Sequence, residues 1–125
     1  MRDPDALVSD LTAGEGFEIS VSDVSKFVDS GAIPESVRLV DCREEDEFAL
    51  CKIQGAELVP LSTFAGRDFS LLLDPEVPVV IYCHHGMRSA HAAEFLRSSG
   101  YPLAFSMAGG IDKWSSDIDP SIHRY

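Results

Sequence analysis

The chain has 125 residues, of which 45% are hydrophobic and 25% charged, so it can bury one core but is too short for two. Its formal net charge of −11 disfavours direct binding to nucleic acid and to anionic membranes, because both present phosphate groups. Three cysteines at irregular spacing do not predict a disulfide framework and point to thiol chemistry in a reducing compartment.

Residues 1–11 carry acidic and polar side chains where a signal peptide needs an unbroken apolar stretch. The longest apolar run, from Val77 to Cys83, is much shorter than a membrane span and contains Pro78. We therefore expect a cytoplasmic protein without a membrane segment. Residues 1–17 are expected to form an N-terminal extension, and residues 18–125 the folded domain.

Short apolar runs alternate with amphipathic stretches, which predicts a parallel sheet covered by helices. In the first half we expect a strand over 18–21, a helix from about Ser22 to a stop at Gly31, a strand over 37–40 that ends at Asp41, a helix start at the acidic run 44–47, and a brief strand over 57–59. One or two short helices, interrupted by Gly66, are expected over 64–73.

The second half begins with Val79-Val-Ile-Tyr82, which is β-branched and apolar on both faces, as expected of a central buried strand. The elements expected after it are a helix that reaches Ser99 with Gly100 as its cap, a strand over 103–105, a turn at Gly109-Gly110, and a helix over 111–118 that buries Trp114. The pattern predicts one three-layer α/β domain.

Cys83 stands at the carboxyl end of the predicted central strand, where open α/β sheets place their ligand sites. If the loop from His84 to Arg88 curls around the sulfur, its N–H groups and the following helix dipole favour thiolate. Gly86 would permit a backbone geometry that a side chain obstructs, and Arg88 would attract an anionic substrate. The alternative is a core cysteine that closes a strand, but the hydrophilic residues that follow favour function.

His84 and His85 are equally compatible with ordinary solvated loop residues. A zinc site would combine Cys83 and one of these histidines with Cys42 or Cys51. None of these pairs has the CxxC or HxxxH spacing of such sites, so we predict no metal and no cofactor.

Four segments resemble, in order, the motifs of the rhodanese-like family. Cys83-His-His-Gly-Met-Arg-Ser89 resembles the C-x-x-G-x-R-S loop of its single-domain sulfurtransferases. The other segments are Asp41-Cys-Arg43-Glu44, similar to D-x-R-E, Gln54-Gly-Ala-Glu-Leu-Val-Pro-Leu61, similar to P-G-A-x-x-I-P-L, and Ala108-Gly-Gly-Ile-Asp-Lys-Trp114, similar to G-G-x-x-x-W. The ending, residues 119–125, resembles rhodanese domains fused to adenylating enzymes of molybdopterin and thiolation pathways.

This resemblance implies a five-stranded parallel sheet with helices on both faces, and a sulfur transfer in two steps. Cys83 would be the catalytic residue: it would take sulfur from thiosulfate or a related donor as a persulfide and pass it to cyanide, a thiol or a sulfur-carrier protein. The implied substrate-binding residues are His84, His85, Gly86, Met87, Arg88 and Ser89, and the implied supporting residues are Asp41 and Arg43. Cys42 and Cys51 have no family role; Cys42 is expected to be buried and Cys51 to pack on a helix. Either could act as a second thiol if it came near Cys83.

Two other functions fit parts of this pattern. Cell-cycle phosphatases share the fold and also use a cysteine and an arginine around an anion, but they place one residue more between the two. Only His84 to Met87 intervene here, which favours a cradle for a single sulfur atom. Rhodanese-like modules that only bind a partner commonly lack the cysteine, whereas Cys83 is present.

Overall fold

The computed structural model describes residues 16–28 and 33–125. Within them five strands form one sheet: β1 (Glu18–Ile19), β2 (Arg38–Asp41), β3 (Glu57–Leu58), β4 (Val79–Tyr82) and β5 (Ala104–Met107). All neighbouring strands are parallel, and their order is β1-β5-β4-β2-β3. The prediction of a five-stranded parallel sheet is therefore confirmed.

The described part of the chain has four α-helices, of which the last follows the last strand: α1 (Val21–Ser25), α2 (Glu45–Leu50), α3 (Met87–Ser98) and α4 (Gly110–Asp117). Two short 3-10 helices, Leu61–Thr63 and Phe69–Leu71, lie between β3 and β4. None of these helices combines the length and the apolar character that crossing a membrane requires.

The core consists of two buried clusters on opposite faces of the sheet. All four residues of β4 are buried; Val80 and Tyr82 enter one cluster, and Val79 and Ile81 the other, because alternate strand residues point to opposite faces. Helices α1 and α4 cover the first face, where Trp114 is buried as predicted, and α3 covers the second. Helices thus lie on both faces, which confirms the predicted three-layer α/β domain.

Some predicted boundaries differ from the observed ones. The short helices begin earlier than predicted, at Leu61, directly after Pro60, whose fixed backbone angle suits the position before a turn of helix. Strand β5 starts one residue later than predicted and runs to Met107, because β1 and β4 both pair with it. Helix α3 is capped by Ser99, with Gly100 in the left-handed conformation one position further on.

Two predictions lie wholly or mostly outside the described residues. The helix stop at Gly31 falls within 29–32, and the N-terminal extension over 1–17 falls almost entirely within 1–15. The boundary between extension and domain stays a prediction. The first described strand, Glu18–Ile19, starts where the folded domain was predicted to start.

Candidate active site

Cys83 follows the last residue of β4 and lies at the carboxyl edge of the sheet, next to the amino-terminal end of α3. Its sulfur accepts hydrogen bonds from the Gly86 N–H at 3.0 Å and from the Ser89 N–H at 3.4 Å. The side chain is buried, with 1% of its surface exposed. The loop therefore closes around the sulfur with backbone donors, as its position before a helix predicted.

The amino-terminal end of α4 determines the shape of this loop. The Ile111 N–H donates to the Cys83 carbonyl at 2.8 Å, and the Asp112 N–H donates to the His84 carbonyl at 3.1 Å. Because the Cys83 and His84 carbonyls point toward α4, the N–H groups of Gly86 and Ser89 can point toward the sulfur. Gly110, with a φ of +63°, makes this approach possible, because a Cβ there would collide with the backbone of Cys83 and His84.

Hydroxyl groups complete the surroundings of the sulfur. Ser89 Oγ lies 3.5 Å from Cys83 Sγ and 2.7 Å from the buried Ser106 Oγ. When Ser106 donates to Ser89, the Ser89 proton can bond either to the Gly86 carbonyl, 3.2 Å away, or to the sulfur in its thiolate form. Ser106 lies on β5, so the central strands supply both the nucleophile and a hydroxyl behind the loop.

These contacts stabilise the thiolate form of Cys83. The largest influence is a hydrogen bond with the Cys42 thiol; burial opposes it, and Ser89 and the Gly86 N–H add to it, so the pKa of Cys83 falls to about 4. Cys42 is fully buried, as predicted; its hydrogen bond with Cys83 and then its burial raise the pKa of its thiol above the ordinary range. At neutral pH the pair therefore holds a nucleophilic Cys83 thiolate beside a protonated Cys42.

Arg88 lines a pocket of about 230 Å³ together with Cys83, His84, His85 and Met87. Two of the nitrogens of its guanidinium, however, bind the carboxylate of Glu47 on α2, at 2.6 and 2.9 Å. Arg88 is the largest cause that lowers the pKa of Glu47, to about 2. The positive charge predicted for an anionic substrate is thus present at the pocket and partly compensated.

Tyr125 connects the Arg88–Glu47 ion pair to Arg43 and His84. Its hydroxyl donates to Glu47 Oε2 at 2.6 Å and accepts from Arg43 Nη1 at 2.9 Å. Its ring stacks on His84, with the ring centroids 3.9 Å apart and the planes within 7°. The far end of the chain therefore forms part of the site.

Asp41 and Arg43 form a fully buried ion pair at the end of β2, with Arg43 Nη2 2.7 Å from Asp41 Oδ2. Arg43 also donates to the carbonyl of Cys51, and so connects β2 to the segment that follows α2. Buried charges need such complete hydrogen bonding to be tolerated. The two residues therefore hold the end of β2 against its surroundings, and the supporting role stays a prediction.

His85 stacks on His84 at 3.9 Å and places its Nε2 3.8 Å from Asp112 Oδ2. In the described residues, one atom from each of His84, His85 and Asp112 could meet at a cation, since these atoms lie within 4.8 Å of one another. Asp112, however, is also held by Arg124 at 3.0 Å, which competes for its carboxylate. Cys42, Cys51 and Cys83, the cysteines considered above for a zinc site, do not belong to this group.

The loop after β4 and the first turn of α3 thus bring together the predicted residues from Cys83 to Ser89, with Met87 largely exposed at the rim. The loop is shorter than predicted, because α3 begins at Met87 and already includes Arg88. The sequence did not predict that Glu47, Tyr125 and Ser106 belong to the site, and it did not predict that Cys42 lies next to Cys83. The acidic run of α2 was recognised, but nothing in it distinguishes Glu47 from its neighbours. For Cys42 a signal existed: it and Cys83 each stand directly after a predicted strand.

The comparison with protein families agrees with this fold and this loop. The sequence-family model of the rhodanese-like domain matches residues 20–117, which include every element from α1 to α4 and the whole Cys83 loop. The chain therefore belongs to the rhodanese-like family.

Individual relatives of the chain include sulfurtransferases of this family. It is 35% identical over 97 residues to the thiosulfate sulfurtransferase GlpE of Haemophilus influenzae, covering 78% of this chain and 86% of GlpE. The structure of the human single-domain sulfurtransferase TSTD1 matches with a TM-score of 0.65 and 26% identity, covering 82% of this chain and 98% of TSTD1.

The predicted similarity to domains of adenylating enzymes is also confirmed. The chain is 29% identical over 113 residues to the probable adenylyltransferase/sulfurtransferase MoeZ of Mycobacterium tuberculosis. This match covers 90% of the chain but 28% of MoeZ. The chain spans less than two fifths of the length of several curated relatives that it matches.

Proposed function

We propose that the chain is a sulfurtransferase that carries sulfur as a persulfide on Cys83, taken from thiosulfate or a related donor. The observation that carries this proposal is the position of Cys83, whose Sγ accepts from the Gly86 and Ser89 amides and which lines the 230 Å³ pocket. Amide donors and a pKa near 4 favour a thiolate that is ready to attack at neutral pH.

In the first step the Cys83 thiolate attacks the outer sulfur of thiosulfate. The new bond joins the two sulfurs, the bond within thiosulfate breaks, and sulfite leaves with the electron pair, so that Cys83 carries a negatively charged persulfide. The N–H groups of Arg88 that Glu47 does not use are available to the departing sulfite. His84, His85 and Met87 line the same space, and Gly86 and Ser89 hold the sulfur.

In the second step the terminal sulfur passes to an acceptor, and Cys83 leaves as thiolate. Cyanide or a small thiol attacks the terminal sulfur and displaces the well-stabilised Cys83 thiolate. With an adenylated sulfur-carrier protein, the terminal sulfur instead attacks the acyl carbon of the carrier and displaces AMP. A thiol must then attack Cys83 Sγ to release the thiocarboxylate of the carrier, which leaves Cys83 in a disulfide. A reducing, cytoplasmic compartment is part of the proposal, because Cys42, Cys51 and Cys83 are all free thiols. Asp41 and Arg43 support the strand end beside the loop.

Mass spectrometry of the protein after incubation with thiosulfate tests this function. We expect Cys83 to gain the mass of one sulfur atom and, with cyanide added, thiocyanate to be released over many turnovers. Cys83→Ser should abolish both signals, while Cys51→Ser, which changes a cysteine outside the loop, should keep them. Turnover that persists in Cys83→Ser would remove the proposal.

A further inference from the structure

Cys42 and Cys83 occupy equivalent positions on neighbouring strands. Cys42 follows Asp41, the last residue of β2, and Cys83 follows Tyr82, the last residue of β4. Asp41 and Tyr82 are register partners, and the Cys42 N–H donates to the Tyr82 carbonyl at 3.0 Å. If this register is continued by one residue beyond Asp41 and Tyr82, Cys42 lies opposite Cys83.

Both side chains point to the same face of the sheet, because Val40, Cys42, Ile81 and Cys83 all belong to one buried cluster. Parallel strands lie about 4.8 Å apart, and a disulfide needs Cα atoms about 4.4–6.8 Å apart. A bond between Cys42 and Cys83 therefore requires no separation of β2 from β4. Both thiols are free.

Cys83 separates Cys42 from the pocket. Cys83 lines the pocket with His84, His85, Met87 and Arg88, whereas Cys42 is fully buried and does not line it. A sulfur atom delivered from the pocket thus attaches to the outer side of Cys83. Cys42 faces Cys83 from within the protein, where it can displace that atom.

We propose that Cys42 is a resolving thiol that discharges the Cys83 persulfide as sulfide. Cys42 Sγ attacks Cys83 Sγ, and the bond from Cys83 to the terminal sulfur breaks. The terminal sulfur leaves as hydrosulfide with the electron pair of that bond and the proton of Cys42, and a Cys42–Cys83 disulfide remains. The two cysteines are oxidised by two electrons, and the terminal sulfur is reduced by two. A dithiol reductant then restores both thiols. This inference rests on the proposed function, since it starts from the persulfide.

The surroundings of Cys42 suit this role. The adjacent Cys83 sulfur and burial raise the pKa of Cys42, so Cys42 attacks only as its proton passes to the terminal sulfur. This transfer makes Cys42 a thiolate and lets the terminal sulfur leave as hydrosulfide. The proton comes from a site with no access to solvent, next to the bond that breaks. Without an external acceptor, the protein would therefore convert bound sulfur to sulfide once and then stop as a disulfide.

A single-turnover experiment tests the inference. The protein is loaded with thiosulfate, freed of donor by gel filtration and kept without thiols, and sulfide is measured together with a peptide map. We expect one sulfide per loaded site and a Cys42–Cys83 disulfide. In Cys42→Ser the persulfide should persist on Cys83, with sulfide release slowed at least about tenfold. Cys51→Ser, which keeps both paired cysteines, is the matched control and should behave as the parent protein.

Release of sulfide from Cys42→Ser at the parental rate would overturn the inference, as would a disulfide that involves Cys51. Cys42→Ala, which places no hydroxyl in the buried position, is the second variant if Cys42→Ser fails to fold. If thiosulfate adds no sulfur to Cys83, the proposed function fails. The persulfide is then made with inorganic polysulfide, and the same sulfide and disulfide measurements decide the role of Cys42.

Discussion

Arg88 donates two hydrogen bonds to the Glu47 carboxylate beside the Cys83 pocket, with nitrogen to oxygen distances of 2.6 and 2.9 Å. Arg88 lowers the pKa of Glu47 to about 2, so Glu47 stays ionised throughout the neutral range. The anion attraction of Arg88 is therefore offset by a permanent negative charge from another helix. The affinity of the site for an anionic donor depends on both residues.

Glu47→Gln should lower the KM for thiosulfate roughly threefold at low salt, because it removes a negative charge beside the pocket while keeping a hydrogen-bonding group. The gain should shrink as the ionic strength rises. Steady-state release of thiocyanate at two salt concentrations measures it. Glu45→Gln, an equal charge change at an exposed position on α2, is the control and should leave KM unchanged.

Arg88→Ala should raise the KM for thiosulfate about tenfold or more, since it removes the fixed positive charge that faces the donor. The cost in stability should be only about 1 kcal/mol, because the Arg88 side chain is 37% exposed and solvent screens its ion pair with Glu47. Kinetics and a thermal melt of the same sample measure the two effects. A lowered melting temperature with unaltered kinetics would make Arg88 a structural residue.

The alkylation rate of Cys83 by iodoacetamide should be nearly constant from about pH 6 to pH 9, because a pKa lowered to about 4 leaves the thiolate fully formed over that range. The rate should decline only as the pH falls toward the folded-state pKa. Glutathione, a small free thiol, is the reference, and its rate should rise through about pH 8.5. A Cys83 rate that follows glutathione would contradict the lowered pKa.

Gly110→Ala should reduce kcat/KM at least about tenfold and destabilise the fold by about 1–3 kcal/mol, because its φ is positive and its Cβ would collide with the loop carbonyls. Gly100→Ala is the matched control: Gly100 also has a positive φ, +101°, but nothing lies within 4 Å of a Cβ there. This control should lose stability and keep its activity. Equal activity losses in both variants would refute the role of Gly110 in shaping the loop.

Hydrolysis of aryl phosphates should be negligible, because the loop donors converge on one sulfur atom and the pocket occupies about 230 Å³. Release of nitrophenol from its phosphate ester measures this activity. Insertion of one glycine between Met87 and Arg88 should relax the exclusion. Phosphatase turnover by the unmodified protein that is lost in Cys83→Ser would refute the argument from loop size.

The fold was predictable because its signals are local. The β-branched run at Val79 predicted a central strand, and the glycines after β5 predicted the turn before α4. The boundaries around residues 61–73 were less accurate, since 3-10 turns lack a long hydrophobic period.

The site was predictable only where its residues are contiguous. The sequence placed Cys83 and Arg88 in one loop, but Glu47 is 41 residues away from Arg88 in the chain and Tyr125 is 78 residues away from Glu47. Contacts of this kind depend on helix placement, which no local pattern encodes. The Cys42–Cys83 pairing required the register of β2 against β4, which the structure alone supplies.

The only tryptophan of the chain, Trp114, is buried on the face of the sheet opposite Cys83. Its indole emission should therefore shift when the core opens to water. Because the reacting sulfur lies across the sheet, this optical signal gives unfolding curves for each loop variant without a label or an added chromophore. Samples with reduced, sulfur-loaded and disulfide-bonded Cys83 can thus be compared on a single fluorescence scale.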